Sequence, residues 1–202
     1  MSHIQMLNGK LVDPTNLQAS DIDIDDFAWG LANTGGFRCQ SHQIYYNAQH
    51  ACAVAVMLEI AGGSPELCLA GLHHDDAEVF VGDWPTPIKW LVPEVAELER
   101  KIMSVVARRW GFDELLLQHP ELKRTDRFAR GVEGWFLMGK PQWAMDYILN
   151  NLPDLRNAVT FVVGEHYPYT TLDQNGLMRL SQRVAFHEYK FLHEHYTKEM
   201  AG

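Results

Sequence analysis

The chain has 202 residues, of which 47% are hydrophobic, 11% aromatic and 21% charged, and this composition excludes intrinsic disorder and fibrous folds. The apolar content is sufficient for one compact domain over residues 1–202. The 17 Lys and Arg against 26 Asp and Glu give a formal charge of −9, which argues against a duplex nucleic-acid binder, because such a protein needs a basic face. A phosphorylated small molecule remains compatible with this charge, because a metal ion can supply positive charge inside an acidic protein.

Cysteine usage and hydropathy indicate the cellular compartment. Cys39, Cys52 and Cys68 form no CxxC pair, so neither a disulfide framework nor a cysteine zinc site is expected. The amino terminus lacks a charged-then-apolar signal pattern, and no apolar run approaches about 18 residues. We therefore expect a cytoplasmic protein without membrane association.

The elements predicted along the chain are almost all helical. Residues 1–25 mix short apolar stretches with an acidic run and predict an irregular or β-like arm. Periodicity and capping signals predict helices at about 27–33, 48–60, 65–80, 93–109, 121–138, 142–150, 153–163 and 177–199. The strand signal is weak throughout, so an all-α bundle is predicted, with the helices of residues 142–202 packed on its core.

Gly and Pro residues predict departures from regular helix in two places. Pro85 and Pro87 flank Thr86, so residues 83–87 are expected to form an extended turn after Gly82. The 121–138 helix is expected to be interrupted or bent near Gly131 and Gly134.

The most informative segment lies in the predicted 65–80 helix, where imidazoles and carboxylates interrupt an apolar pattern. Burying several ionisable groups is costly unless they are paired or bind a metal. His74 and Asp75 are good ligands for borderline divalent metals. Glu78 lies one helical turn after His74, where its carboxylate can take a proton from water activated by the metal. The pattern is typical of a metal-dependent hydrolase.

Two ligands do not complete a metal site, so others must come from elsewhere in the chain. His50 and Asp126 lie inside apolar helical patterns and are the candidates for inward-facing polar residues. A lone core histidine is usually a hydrogen-bonded structural residue, but the His74-Asp75 pair on another helix favours a ligand role for His50.

With these residues the chain resembles the HD-domain metal-dependent phosphohydrolases, whose H…HD…D pattern matches His50, His74-Asp75 and Asp126. The resemblance extends over about residues 20–140.

Two further stretches of the sequence indicate which branches of the family the chain resembles. HDDAE at 74–78 followed by GDWPTPIK at 82–89 is similar to the bacterial 5′-deoxynucleotidase branch and to a phage and prophage branch that includes deoxynucleoside triphosphohydrolases. YNAQHA at 46–51 resembles the segment around the first ligand His of the phage branch. The resemblance thus implies an all-α HD domain, in the host cytoplasm if the chain is phage-encoded.

The resemblance also implies roles for individual residues. His50, His74, Asp75 and Asp126 would bind one divalent ion, for which Mn, Co, Zn, Fe and Mg are all candidates. The catalytic candidates are Glu78, which would activate water, and Asp83, which would orient the leaving group or sugar, while Lys89 would contact phosphate. Relatives are commonly dimers or larger, so a homo-oligomer is possible.

Other candidates carry weaker expectations. The family places an Arg in the loop before the first His, where this chain has Gly35-Gly36, and Arg38 is the basic residue nearby. Trp84 is a candidate for base stacking or a cap on the core, and His42 for phosphate contact or loop structure. The remaining expectations place His73 at the surface or behind the site, His119 at a helix boundary, residues 166–169 in an aromatic turn, and His3, His193 and His195 in solvent.

The function predicted is hydrolysis of (deoxy)nucleotides, with monophosphates slightly favoured over triphosphates because few basic residues lie near the motif. Two alternatives remain. A di-iron HD oxygenase would need further His ligands between Asp75 and Asp126, where only His119 is available. A noncatalytic nucleotide-binding HD module would be expected to have lost some of the ligands or Glu78.

Overall fold

The computed structural model describes residues 3–151 and 181–202. The predicted β-like arm is present as two short antiparallel strands, β1 (Ile4–Gln5) and β2 (Leu11–Val12), followed by 3₁₀ turns at Pro14–Asn16 and Ala19–Asp21. The arm delivers the chain to the first α-helix.

The rest of the described chain is helical, which confirms the predicted all-α class. The α-helices are α1 (Ile24–Asn33), α2 (Asn47–Ile60), α3 (Pro65–Leu72), α4 (Glu78–Val81), α5 (Thr86–Leu91), α6 (Pro93–Trp110), α7 (Pro120–Leu137), α8 (Gln142–Asn151) and α9 (Gln182–Ala201). Further 3₁₀ turns occupy Gly36–Cys39 and Glu114–Gln118.

Helix α2 lies at the centre of the bundle. Most of its residues are buried, and it packs against α1, α3, α7 and α9. A helix that is apolar on nearly all sides can be stable only when neighbours cover all of its faces. His50 is therefore held in the middle of the core, with 3% of its surface exposed.

The predicted continuous helix over residues 65–80 is wrong. Helix α3 ends at Leu72, residues 73–77 form a turn, and α4 begins at Glu78. The Nδ1–H group of His74 donates to the carbonyl of Gly71 at 2.7 Å, so a side chain satisfies a carbonyl that a continuing helix would have paired with a backbone N–H.

The predicted interruption of the 121–138 helix is also wrong, because α7 runs unbroken past its two glycines. Those glycines instead let α8 approach closely. A Cβ atom on Gly131 would lie 2.9 Å from Tyr147 Cβ, and one on Gly134 would overlap the ring of Trp143.

Two other expectations differ at their boundaries. Thr86 opens α5 rather than extending the turn after Gly82, because Pro87 falls in the first helical turn, where no amide hydrogen is needed. The predicted helix at 153–163 lies outside the described residues, and the described part of the 177–199 prediction is helical in α9.

Within the described ranges, no helix combines the length and apolarity needed to cross a bilayer.

Candidate metal centre and substrate cavity

Four side chains predicted as ligands converge at one point of the bundle. His50 comes from α2, His74 and Asp75 from the 73–77 turn, and Asp126 from α7. One ligand atom each from His50, His74 and Asp75 lies within 4.8 Å of the others. Asp126 Oδ1 lies 3.0 Å from His50 Nε2 and 3.7 Å from His74 Nε2. Although the 73–77 segment is a turn rather than a helix, it brings these groups together.

Hydrogen bonds orient both imidazole rings toward the same point. The Nδ1–H of His74 is committed to the Gly71 carbonyl, and His50 Nδ1 lies 2.9 Å from Glu133 Oε1, to which it can donate. Both rings therefore present Nε2 to the centre of the cluster. His74 Nε2 is buried and makes no hydrogen bond among the described residues, although Asp75 Oδ2 lies 3.2 Å away as an ion-pair partner. A buried nitrogen of this kind is suited to bind a ligand.

The electrostatics of the cluster suit a cation. Burial opposes protonation of His74, but the carboxylates of Asp75 and Asp126 outweigh it and raise the pKa of His74 to about 10. Burial likewise opposes protonation of His50, but Glu133 and Asp126 raise the pKa of His50 to about 9. The same contacts, with help from Arg130, hold the pKa values of Asp75 and Asp126 below their usual range despite burial. A divalent cation that binds here could therefore replace the protons that the imidazoles carry.

The donor set fits one divalent ion on chemical grounds. Two imidazole nitrogens and two carboxylate oxygens are acceptable to Mn, Co, Zn, Fe and Mg with differing preference. The observation that carries this fit is His74 Nε2, which is buried among carboxylate oxygens and makes no hydrogen bond to the described residues.

Glu78 lies beside the cluster at the start of α4. Its side chain accepts a short hydrogen bond from the amide of Asn47, and 4% of the residue is exposed. Burial raises the pKa of Glu78 well above its usual range, and the nearby carboxylates of Asp75 and Asp83 raise it further. A carboxyl with a raised pKa next to a metal site is suited to exchange a proton with water.

A cavity of about 390 Å³ opens next to these groups, a volume suited to a small-molecule ligand. His74, Asp75 and Glu78 line one end, and Lys89 lines it from α5. The other walls come from α6, the 3₁₀ turn at Glu114–Gln118 and Lys123.

Lys89 faces this cavity but is already paired. Its Nζ atom lies 2.7 Å from Glu99 Oε1 on α6. The charge of Lys89 is therefore shared with Glu99 before any substrate binds.

The loop between α1 and α2 holds Arg38 at the edge of the site region. The side chain of Arg38 is exposed and donates to the carbonyl of Asp83 at 3.2 Å. Phe37, Arg38 and Cys39 have φ values of 53°, 55° and 56°, so three consecutive non-glycine residues adopt the left-handed region. Arg38 thus lies near Asp83, but its guanidinium is bound to backbone.

Trp84 and His42 are committed to other contacts. The indole N–H of Trp84 donates to the carbonyl of Val81 at 2.7 Å, and the ring is half-buried. The backbone N–H of His42 donates to Leu137 at 2.9 Å, and the His42 ring lies beside Gly139 at the end of α7. Neither residue lines the cavity that Glu78 and Lys89 share.

Three residues next to the ligands were not assigned to the site from the sequence: Asn47 and Glu133 were missed, and Arg130 was considered only as a more distant basic residue that could contact phosphate. Arg130 and Glu133 follow Asp126 at i+4 and i+7, so all three lie on one face of α7. Arg130 Nη2 lies 2.9 Å from Asp75 Oδ2, and its Nε lies 3.2 Å from Asp126 Oδ1. The helical spacing from Asp126 was a usable signal for this pair, whereas the contact of Asn47 with Glu78 had none.

A second polar network lies behind the ligands. His73 Nδ1 lies 2.8 Å from Asp76 Oδ2, the hydroxyl of Tyr189 on α9 donates a short hydrogen bond to Asp76, and His73 Nε2 lies 2.9 Å from His193 Nδ1. His73 and Asp76 have no exposed surface. The predicted solvent position of His193 is therefore wrong, because the packing of α9 on α3 brings its ring to His73. His3 is exposed, as expected.

This network leads to a testable prediction about the turn that carries His74 and Asp75. Tyr189→Phe removes a buried hydroxyl from Asp76, so the turn should be held less firmly and the divalent ion should bind about tenfold more weakly, as for outer-shell partners. Titration of metal-free protein with Mn²⁺ measures this effect. Tyr196→Phe is the matched control, because this residue is equally buried on α9 but its hydroxyl donates to Glu59. Equal metal affinities in the two variants would contradict the prediction.

The remaining candidate residues bear on the alternatives. His119 caps α7, as predicted, and its Nδ1 accepts from the N–H of Glu121 at 3.3 Å. His119 is also not part of the cluster of candidate ligands His50, His74 and Asp75 among the described residues, so it does not supply the extra ligand that the di-iron oxygenase would need there. The aromatic turn predicted at residues 166–169 lies outside the described residues.

Comparisons with known proteins support the resemblance over part of the chain. The chain is 29% identical to the uncharacterized protein YfdR of Escherichia coli K12 over 116 residues, which cover 57% of this chain and 62% of YfdR. It is 40% identical to a 5′-deoxynucleotidase of Vibrio cholerae over 79 residues, or 38% of each chain. It is 39% identical to a 5′-deoxynucleotidase of Vibrio atlanticus over 64 residues, covering 31% of this chain and 30% of that relative.

The matched spans limit what these relatives establish. The chain spans less than two thirds of the length of each of these three relatives. No family model matches the chain. The similarities support the resemblance to the HD-type family over part of the chain, without resolving its branches.

Proposed function

We propose that the chain is a metal-dependent phosphohydrolase of (deoxy)nucleotides that releases phosphate from deoxynucleoside 5′-monophosphates. The observation that carries the proposal is the convergence of His50, His74, Asp75 and Asp126 beside Glu78, at one end of a cavity. Relatives named 5′-deoxynucleotidase support the reaction class and the substrate.

The residues have distinct tasks in the proposed reaction. A divalent ion bound by the four ligands would supply Lewis-acid charge for the phosphoryl group and lower the pKa of water. Glu78 accepts the proton of the attacking water, and the water oxygen attacks phosphorus in line with the leaving 5′-oxygen. Asn47 holds the Glu78 carboxylate in place. Asp83 is proposed to orient the sugar or the leaving group. The cavity beside Glu78 takes the nucleoside.

Lys89 is proposed to contact the phosphate, and its replacement tests this role. Lys89→Ala should raise KM about tenfold or more, because a hydrogen bond to a charged group contributes about 1.5–3 kcal/mol. Steady-state kinetics measure the change, and Lys101→Ala on the exposed face of α6 is the control. A KM equal to that of the parent would show that the ammonium stays on Glu99 throughout the reaction.

The charge of the cavity bears on the number of phosphates that the substrate carries. The phage-type alternative is a deoxynucleoside triphosphohydrolase that releases tripolyphosphate and needs cations along a longer anion. The cavity lining includes three basic residues, Lys89, Arg100 and Lys123, and four carboxylates, those of Asp75, Glu78, Glu99 and Glu114. This shortage of cations favours the monophosphate.

The test is incubation of metal-loaded protein with a panel of deoxynucleoside and ribonucleoside mono- and triphosphates, with products separated by chromatography. We expect nucleoside and orthophosphate from deoxynucleoside monophosphates. Tripolyphosphate from a deoxynucleoside triphosphate, without hydrolysis of the monophosphate, would establish the phage-type alternative. Nucleotide binding without turnover of any substrate would establish the noncatalytic module, against which the presence of Glu78 beside all four ligands argues.

A further inference from the structure

Arg130 occupies an unusual position for a cation, because it contacts two proposed metal ligands at once. Its Nη2 atom lies 2.9 Å from Asp75 Oδ2 and its Nε atom 3.2 Å from Asp126 Oδ1. The backbone does not force this contact by itself, since Asp75 lies in the 73–77 turn and Asp126 and Arg130 on α7. The guanidinium bridges two elements at the centre of the site.

The carboxylate oxygens that Arg130 contacts also face the imidazoles. Asp75 Oδ2 lies 3.2 Å from His74 Nε2, and Asp126 Oδ1 lies 3.0 Å from His50 Nε2. A cation bound between these four groups would draw the two oxygens toward itself. The N–H groups of Arg130 would then be released next to the bound ion.

The guanidinium can reach a ligand that enters from solvent. The side chain of Arg130 is 29% exposed, whereas those of His50 and His74 are 4% exposed. A guanidinium carries five N–H donors in a rigid fork that matches the spacing of phosphate oxygens, and it remains charged at any physiological pH.

Two other basic groups near the site, Lys89 and Arg38, have competing partners. Lys89 is paired with Glu99, and Arg38 donates to the carbonyl of Asp83. Arg130 is surrounded by carboxylates that a divalent ion would partly neutralise. Once such an ion is bound, the guanidinium is free to pair with an anion on that ion.

We propose that Arg130 binds the phosphate group of the substrate at the metal centre, as a bidentate partner that exchanges Asp75 and Asp126 for phosphate oxygens when the metal is bound. This inference rests on the proposed function and adds a substrate-binding residue to it. According to this inference, Arg130 also has opposite effects on binding of the metal ion and of the phosphate, because its charge repels the metal and attracts the phosphate.

The experiment measures the affinity for Mn²⁺ and the affinity for phosphate separately, and it requires no turnover. Mn²⁺ is titrated into metal-free protein, and inorganic phosphate is then titrated into the Mn²⁺-loaded protein, for the parent, Arg130→Gln and Arg127→Gln. Arg127 lies on the same helix with an exposed side chain and controls for the loss of one charge. In Arg130→Gln we expect Mn²⁺ to bind as tightly as in the parent or more tightly, and phosphate to bind about tenfold or more weakly. In Arg127→Gln both affinities should equal those of the parent.

A conservative variant covers the case in which Arg130→Gln fails to fold. Arg130→Lys keeps the charge and loses the fork, so phosphate binding should weaken several-fold while Mn²⁺ binding is retained. Unchanged phosphate affinity in a Mn²⁺-loaded Arg130 variant would overturn the inference and leave the proposed function standing. Loss of Mn²⁺ binding in both Arg130→Gln and Arg130→Lys would also overturn the inference, because Arg130 would then be a structural support for the metal-binding side chains. A parent protein that binds no divalent ion would overturn the inference and the proposed function together.

Discussion

Glu78→Gln is expected to lower kcat by about 10²–10⁴-fold while metal and nucleotide still bind, because the amide keeps the size of the side chain and cannot accept the proton. The buried position of Glu78, the hydrogen bond from Asn47 and its place at the end of the cavity support this role. Single-turnover kinetics with Mn²⁺-loaded protein measure the chemical step directly.

The control for this variant is Glu94→Gln, an exposed carboxylate at the start of α6. Its kcat should equal that of the parent. A Glu78→Gln enzyme within about threefold of the parent would remove Glu78 from the mechanism, since general-base loss costs far more than that.

Asp126→Ala is expected to weaken binding of the divalent ion by on the order of 100-fold or more, since loss of outer-shell partners alone costs about 10–100-fold. The side chain of Asp126 contacts His50 and His74 on one side and Arg130 on the other, so removal opens the ligand set. Chelation of the metal from the parent protein should abolish turnover in the same way, and readdition of the ion should restore it.

Metal content after gel filtration and titration with Mn²⁺ measure the effect of Asp126→Ala. Asp146→Ala, an exposed aspartate on α8, is the control and should retain the metal content of the parent. Thermal unfolding of both variants without metal separates a lost ligand from a damaged fold. Full metal content and activity in Asp126→Ala would show that the four-ligand site is wrong.

The ligand set was predictable from the sequence for a physical reason. His50 and Asp126 interrupt apolar helical patterns, and a buried ionisable residue needs a partner, so distant polar interruptions tend to meet. The same reasoning extends to Arg130 and Glu133, which share a face of α7 with Asp126. The sequence analysis left Glu133 out and treated Arg130 only as a distant basic residue, because charged residues in a predicted helix are usually exposed to solvent.

The break between α3 and α4 was not predictable from local pattern. Residues 65–80 have helical propensity throughout, and the break coincides with one side-chain bond, from His74 to the Gly71 carbonyl. The network behind the site was equally inaccessible, since Tyr189 and Asp76 are 113 residues apart in sequence. Local patterns carry no information about which late helix packs on an early turn.

The left-handed run at Phe37, Arg38 and Cys39 bears on how the site region moves. A left-handed residue other than glycine costs roughly 1–2 kcal/mol, so the backbone of this loop is strained. The hydrogen bonds that anchor the loop must offset this cost. The anchors are backbone bonds at its base, from Gly36 to Tyr45 and from Asn47 to Thr34, and at its tip, from His42 to Leu137. Segments of this kind open locally while the rest of the fold stays intact. Amide hydrogens of residues 36–45 should therefore exchange with solvent through brief local opening, well before those of α2, to which the loop leads.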